Sequence, residues 1–248
     1  MANMAKQILI VVHQENSTPG KIGEFLTQRG YNLDRRCPNL GDPLPDDLAA
    51  YEAAVVFGGP MSANDDHLDG IKAELNWLER TVLPSDCPML GVCLGSQELA
   101  RVLGAKVGGH DDGLVELGYF DVQPTGACPH FLDQPTTFYQ WHVETFDIPR
   151  SAVHLAENDA FPGQAFRYGD RVYGIEFHPE MTREMIERWS TSERGGPKLE
   201  TLKDKGAQPR EAHLAGYDRY AAASDRWLHH FLDNHLLIDR NKDLRVAS

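Results

Sequence analysis

The sequence predicts an α/β fold: a mostly parallel sheet flanked by helices, with antiparallel decoration and a helical extension towards the C-terminal end. Three observations carry this expectation. Short, uniformly apolar runs alternate with amphipathic stretches in the N-terminal half, the pattern of strands buried on both faces and joined by crossover helices. The middle of the chain changes to strand-like runs separated by Gly, Pro and Asp turns. Finally, 248 residues, 41% of them hydrophobic, suffice for one sizeable core.

The elements follow in order. Residues 8–12 (ILIVV) are too short and too evenly apolar for a surface helix and read as a buried strand. Residues 21–29 read as a helix that ends at Gly30. A second apolar run, 53–57, ends in Gly58-Gly59-Pro60. In the stretch 71–83, Ile71, Leu75, Leu78 and Val82 recur at helical spacing, a stripe that faces a core and carries no chemistry. Residues 88–90 read as a short buried strand, and 97–103 are compatible with a helix. The runs 114–123, 136–142, 152–156, 164–168 and 171–177 read as successive strands, antiparallel decoration followed by a return to the main sheet. A helix is expected over 181–189. Residues 192–210, with Gly195-Gly196-Pro197 and many charges, read as a linker. Beyond it Leu214, Tyr217, Tyr220, Ala221, Trp227, Leu228, Phe231 and Leu232 mark a long amphipathic helix. Its aromatic stripe is read as packing on the main domain, with a homodimer surface as the alternative. The expected division is a main domain at 1–190 and a linker with helical extension at 191–248.

Composition narrows the function. A formal net charge of −13 argues against nucleic acid, because phosphate binding needs an excess of Lys and Arg. The four cysteines, Cys37, Cys87, Cys93 and Cys128, show neither paired metal spacing nor a dense disulfide pattern. That suits a reducing compartment in which a lone thiol stays reactive. The apolar run near the N-terminus is too short for a signal segment or a membrane span. A soluble cytoplasmic protein with no membrane partner is the expectation.

The chemistry centres on GVCLGSQ at 91–97. Cys93 stands between two glycines, after an apolar strand and before a helix, which is the layout of a nucleophile elbow. The helix end is expected to favour the thiolate and lower the thiol pKa. A reactive cysteine needs a base, a group that orients the base, and donors for the oxyanion. His178 and Glu180 in YGIEFHPEMT, just past an apolar strand, supply the first two, with Pro179 stiffening the turn between them. The backbone N–H of Leu94 is one donor, and the Gly58-Gly59 pair offers a second. Each part alone has a bland reading: a tight turn around a structural cysteine, an ordinary loop, one histidine among eleven. Their joint occurrence at three strand ends, in complementary roles, favours catalysis.

GGP at 58–60, GVCLGSQ at 91–97 and FHPE at 177–180 resemble, in this order, the signature motifs of class I (triad-type) glutamine amidotransferases. ELGYFDV at 116–122, WHVETFDIP at 141–149 and GQAFRYGDRVYGIEFHPE at 163–180 are most similar to the stand-alone, GMP-synthase-like branch. The resemblance covers roughly residues 5–190 and is absent from the tail. It implies a flavodoxin-like fold in which Cys93 attacks the side-chain amide of glutamine. The oxyanion would be held by the N–H groups of Gly59 and Leu94, while His178 protonates ammonia and Glu180 steadies His178. It further implies substrate contacts at Gly58 and Gln97 and around Gln140, Trp141 and His142, with no metal and no organic cofactor. Two departures stand out: Glu176 where the family usually has Gln, and Val143-Glu144 where this branch often has Gly-Asp. No P-loop and no room for a synthetase domain are present. Three functions remain: a glutaminase that hands ammonia to a separate synthetase, a γ-glutamyl amide or peptide hydrolase with water as acceptor, and a regulatory protein that has lost turnover. The intact Cys93, His178 and Glu180 set argues against the third. The closely spaced His-x-Glu pair argues against an α/β-hydrolase.

Overall fold

The computed structural model describes residues 6–238. In its first half β1 (Gln7–Val11), α1 (Gly20–Gln28), β2 (Asn32–Arg36), β3 (Tyr51–Val56), α2 (Asp69–Trp77), β4 (Met89–Val92) and α3 (Leu94–Val102) follow one another. Next come β5 (Val107–Gly109), β6 (Glu116–Pro124), β7 (Thr136–His142), β8 (Glu144–Phe146), β9 (Ala152–Glu157), β10 (Ala165–Tyr168) and β11 (Val172–Ile175). Helices α4 (Arg183–Thr191), α5 (Gly195–Thr201) and α6 (Arg210–Phe231) complete the described chain.

Nine strands form one sheet in the order β2-β1-β3-β4-β11-β10-β9-β6-β7. From β2 to β11 all neighbours are parallel; from β11 to β7 all are antiparallel. The decoration thus leaves the parallel sheet after α3 and returns to it through β11, as the sequence led us to expect; the structure places β11 beside β4. Side-chain alternation explains the apolar runs. Ile8 and Ile10 of β1 pack on the face covered by Ile22 and Phe25 of α1 and by Trp227 and Phe231 of α6. Leu9 and Val11 pack on the opposite face with Ile71 and Leu78, and with Leu99 of α3. With both faces dry, neither set of alternate positions is polar.

Two differences from the sequence reading have clear causes. Strand β2 (NLDRR) was not anticipated, because Leu33 is its one apolar residue. It pairs only with β1 at the sheet edge, where charged side chains are tolerated and suppress further pairing. The stretch 192–210 is more than a linker. It contains α5, buries Leu199 and Ala207 against Val115 and Leu117, and is pinned to β6 by one side chain. Gln208 accepts from Tyr119 N at 3.0 Å and donates to Tyr119 O at 2.7 Å, as a neighbouring strand would. A long-range amide partner of this kind leaves no periodic trace in the sequence.

Helix α6 lies across the sheet. Trp227 donates its indole N–H to Phe131 O at 2.6 Å and packs edge-on against Phe138 and Phe177. The C-terminal part of its aromatic stripe is therefore core. Among the described residues no helix is long and apolar enough to cross a membrane.

Candidate active site

Cys93 occupies the sharp turn between β4 and α3 with φ 49° and ψ −108°. A non-glycine residue held there costs on the order of 1–3 kcal/mol, so the surroundings must enforce it. They do: Cys93 N donates to Ile175 O at 2.8 Å, and Cys93 O accepts from Ser96 N and Gln97 N, both at 2.9 Å. The flanking glycines are required by close approach. A Cβ on Gly91 would lie 2.6 Å from Gly95 O, and one on Gly95 would overlap Val56 O.

His178 follows β11, the strand beside β4, and its backbone N–H donates to Tyr139 O at 2.8 Å. Its ring Nδ1 donates to Glu180 Oε1 at 2.7 Å, both groups being buried. The Glu180 carbonyl in turn accepts from Lys21 N at 2.9 Å, which ties the turn to α1. Among the described residues, Nε2 of His178 has no hydrogen-bond partner. Gly58, after β3, closes the group: a Cβ there would stand 2.9 Å from His178 Cε1 and 3.4 Å from Cys93 Cβ. The carboxyl ends of three adjacent parallel strands thus bring the three motifs together, where open α/β sheets form their sites.

They open into a cavity of about 1120 Å³. Of the residues expected to meet substrate, Gly58, Gly59, Gln97, Trp141 and His142 line it. Leu94 begins α3, and its N–H lies at the Cys93 sulfur. Gln140 lies away from the cavity. Its side chain is fully buried and donates to Gln164 Oε1 at 2.6 Å.

The electrostatics overturn one expectation. The Cys93 thiol pKa is raised, not lowered, first by burial and then by the carboxylates of Glu176 and Glu180; the Leu94 N–H pulls the other way and is outweighed. Burial likewise pushes Glu176 up to about 7. Its Oε1 accepts from Gln97 Nε2 at 2.9 Å, and the same nitrogen donates to Glu144 O at 3.1 Å. Burial works against charge on His142, yet Glu176 and the hydrogen-bonded Glu116 outweigh it and raise its pKa.

Some neighbours of the site escaped the sequence reading. Arg188, Arg194 and Lys198 of the α4–α5 region form part of the cavity wall. Burial lowers the Lys198 pKa, while Cys93 acts to raise it. These residues belong to no motif: α4 carries Arg188, and the turn into α5 brings in Arg194 and Lys198. His13, just past β1, reaches Glu74 of α2, with Glu98 of α3 beside it. The three offer ligand atoms within 4.8 Å of one another, a spacing that suits a shared proton or a divalent cation. The signal in the sequence was a histidine directly after a buried strand.

Fold and site together define a class: an α/β protein with a cysteine elbow and a His–Glu pair at neighbouring strand ends. The family model for class I glutamine amidotransferases matches residues 27–187, and the chain belongs to that family. It is 29% identical, over 73% of this chain and 78% of the relative, to a glutamine amidotransferase-like protein of Salmonella typhimurium. A glutamine-hydrolysing GMP synthase of Vibrio campbellii is 32% identical over 53% of this chain, but the match spans only 24% of that longer protein. Among solved structures, a glutamine amidotransferase of Thermotoga maritima superimposes with a TM-score of 0.84 at 27% identity, covering 94% of this chain and 98% of that one. One from Methylobacillus flagellatus gives 0.79 at 27% identity, covering 91% and 92%.

Proposed function

We propose that the protein hydrolyses the side-chain amide of glutamine through a γ-glutamyl thioester on Cys93. The observation that carries this is the pairing of a strained, buried Cys93 with a histidine whose Nδ1 is held by Glu180 and whose Nε2 is left open. With Nδ1 protonated and facing Glu180, Nε2 presents a lone pair. Burial and the neighbouring carboxylates favour the neutral thiol, so its proton passes to Nε2 as sulfur attacks the amide carbon. The oxyanion is met by the N–H groups of Gly59 and Leu94. His178 then returns the proton to the departing nitrogen, the C–N bond breaks and ammonia leaves. Water, deprotonated by the same Nε2, cleaves the thioester to give glutamate and restore the thiol. Gln97 and the Lys198 ammonium contact the amino-acid end, Lys198 facing the α-carboxylate. Transfer of the ammonia to a separate synthetase is the extension that the GMP synthase relatives suggest.

A second reading, hydrolysis of larger γ-glutamyl amides or peptides with water as acceptor, is favoured by cavity size. About 1120 Å³ exceeds the roughly 300–1,000 Å³ typical of pockets for drug-sized ligands. Ammonia release from L-glutamine by the purified protein, beside Cys93→Ala, tests the first reading. We expect the variant to lose about 10⁴-fold or more in kcat while folding normally. Full activity in Cys93→Ala would end the proposal, and faster turnover of bulky γ-glutamyl amides than of glutamine would select the second reading.

A further inference from the structure

We propose that His13 is a positioning residue that sets the oxyanion donor, holding the Gly58–Gly59 peptide so that the Gly59 N–H faces the cavity. The proposal rests on the glutamine-hydrolysing reading only for the charge that this N–H would meet.

The geometry is direct. His13 is 1% exposed, and its Nδ1 lies 3.1 Å from Gly58 O. A carbonyl oxygen only accepts, so Nδ1 carries the hydrogen. Gly58 and Gly59 line the cavity whereas His13 does not, so the bonded carbonyl points away from the cavity. In a planar trans peptide the C=O of one residue and the N–H of the next point in opposite directions. Pinning Gly58 O on His13 therefore turns the Gly59 N–H towards the side where Cys93 and His178 stand. Gly59 also rests on the ring, since a Cβ there would come 2.7 Å from His13 Cγ and 2.9 Å from Leu94 Cδ2. No side chain fits between the loop and the histidine that holds it.

The ring is held from behind. Nε2 lies 2.9 Å from Glu74 Oε2, and Glu98 stands against Glu74. Both carboxyls are completely buried. Among the described residues Glu74 Oε1 and both Glu98 oxygens bond no group outside this pair. Burial, and then the neighbouring Glu74 carboxylate, raise the Glu98 pKa. Whether a proton or a cation bridges Nε2 and the carboxyls, the Nδ1 hydrogen stays on Gly58 O, because the ring has no other nitrogen to spare. The glutamates do not line the cavity, so their task is to keep the ring from turning. A flipped ring would lose the Gly58 bond and free the peptide to rotate.

The test compares two alkylations of Cys93, neither of which needs turnover. With iodoacetamide the S–C bond forms as the C–I bond breaks, iodide leaves, and no oxyanion arises. With a glutamine-like chloroketone, sulfur adds to the carbonyl carbon and creates an oxyanion; sulfur then displaces chloride from the adjacent CH₂, and the first S–C bond breaks as the C=O re-forms. His13→Gln reaches Glu74 but cannot donate at the Nδ1 position; His13→Asn keeps a donor there and loses Glu74. We expect His13→Gln to lower the chloroketone-to-iodoacetamide rate ratio about tenfold to a hundredfold, less than the roughly 10²–10³-fold cost of removing an oxyanion donor outright, because the peptide is loosened and not lost. His13→Asn should stay within about threefold of wild type on the same scale. Ammonia release should follow the ratio, in kcat and not in KM. An unchanged ratio in His13→Gln, or equal losses in both variants, would overturn the proposal. Should neither variant fold, ¹⁵N-histidine NMR of the wild-type protein decides: Nδ1 of His13 must be protonated, and a lone pair there refutes the idea. A wild-type protein that releases no ammonia from glutamine refutes the proposed function, while the reagent ratio still reads the role of His13.

Discussion

His178 and His142 both line one cavity, both are buried, and each is paired with a buried glutamate, yet they are wired differently. His142 uses both nitrogens: Nε2 lies 2.9 Å from Glu116 Oε2, and Nδ1 donates to Glu144 O at 2.9 Å. Glu116 in turn accepts from Asn158 at 2.7 Å and from Gln164 at 2.8 Å, so both of its oxygens are occupied. His178 uses Nδ1 alone and leaves Nε2 open. The residue types are the same; the number of occupied nitrogens separates a group able to move a proton from one that fastens β6, β7 and the loop after β9 together. An unpaired buried nitrogen costs on the order of 1–3 kcal/mol, which a fold retains where chemistry needs it.

Substitution can break this contrast. His178→Asn should lower kcat for ammonia release by about 10³–10⁴-fold with little loss of thermal stability, since it removes the proton carrier. Glu180→Gln should cost less, about 10²-fold, because the imidazole stays in place while its tautomer and charge lose support. His142→Asn should do the reverse. Losing the partner of a buried Glu116 is expected to cost about 3 kcal/mol in a denaturation experiment, with the smaller effect on kcat. If His142→Asn reduced kcat as far as His178→Asn at unchanged stability, the assignment of roles would be wrong.

Glu176 sharpens the comparison through pH. Its folded-state pKa, about 7, lies above the 4.5 of an ordinary glutamate. Between these values the folded state holds a proton that the unfolded chain has released. Its contribution to stability is therefore complete below the unfolded value and lost as pH rises through about 7. Glu176→Gln should gain on the order of 2–3 kcal/mol over wild type at alkaline pH and nothing in acid. Because the Glu176 carboxylate helps to raise the Cys93 pKa, the alkylation profile of Cys93 should also move to lower pH. A profile that stayed in place would remove Glu176 from the electrostatics of the nucleophile. The smallest effect is expected at Lys198: Lys198→Met should raise KM for glutamine several-fold while kcat changes less. An unchanged KM would show that the α-carboxylate is held elsewhere.

Much of this was legible in the chain. The ILIVV and AAVVF runs announced strands buried on both faces, and β7 was placed to the residue because its flanks are turns. What escaped detection shared a cause. Strand β2 hid because an edge needs no apolar pattern, and the role of Gln208 because its partner is a backbone 89 positions away. The acidity of Cys93 was misjudged from the helix end alone. That local term is present, but burial beside Glu176 and Glu180 outweighs it.

By itself the sequence determined the cysteine elbow, the His-x-Glu turn and the glycine pair, because each is a local constraint on backbone geometry written in adjacent residues. Tertiary structure alone decided which histidine keeps an open nitrogen, which carboxyls press on Cys93, and that α5 and His13 reach the site. Those properties depend on burial and on partners from distant segments, and a dielectric environment is created only when the layers close.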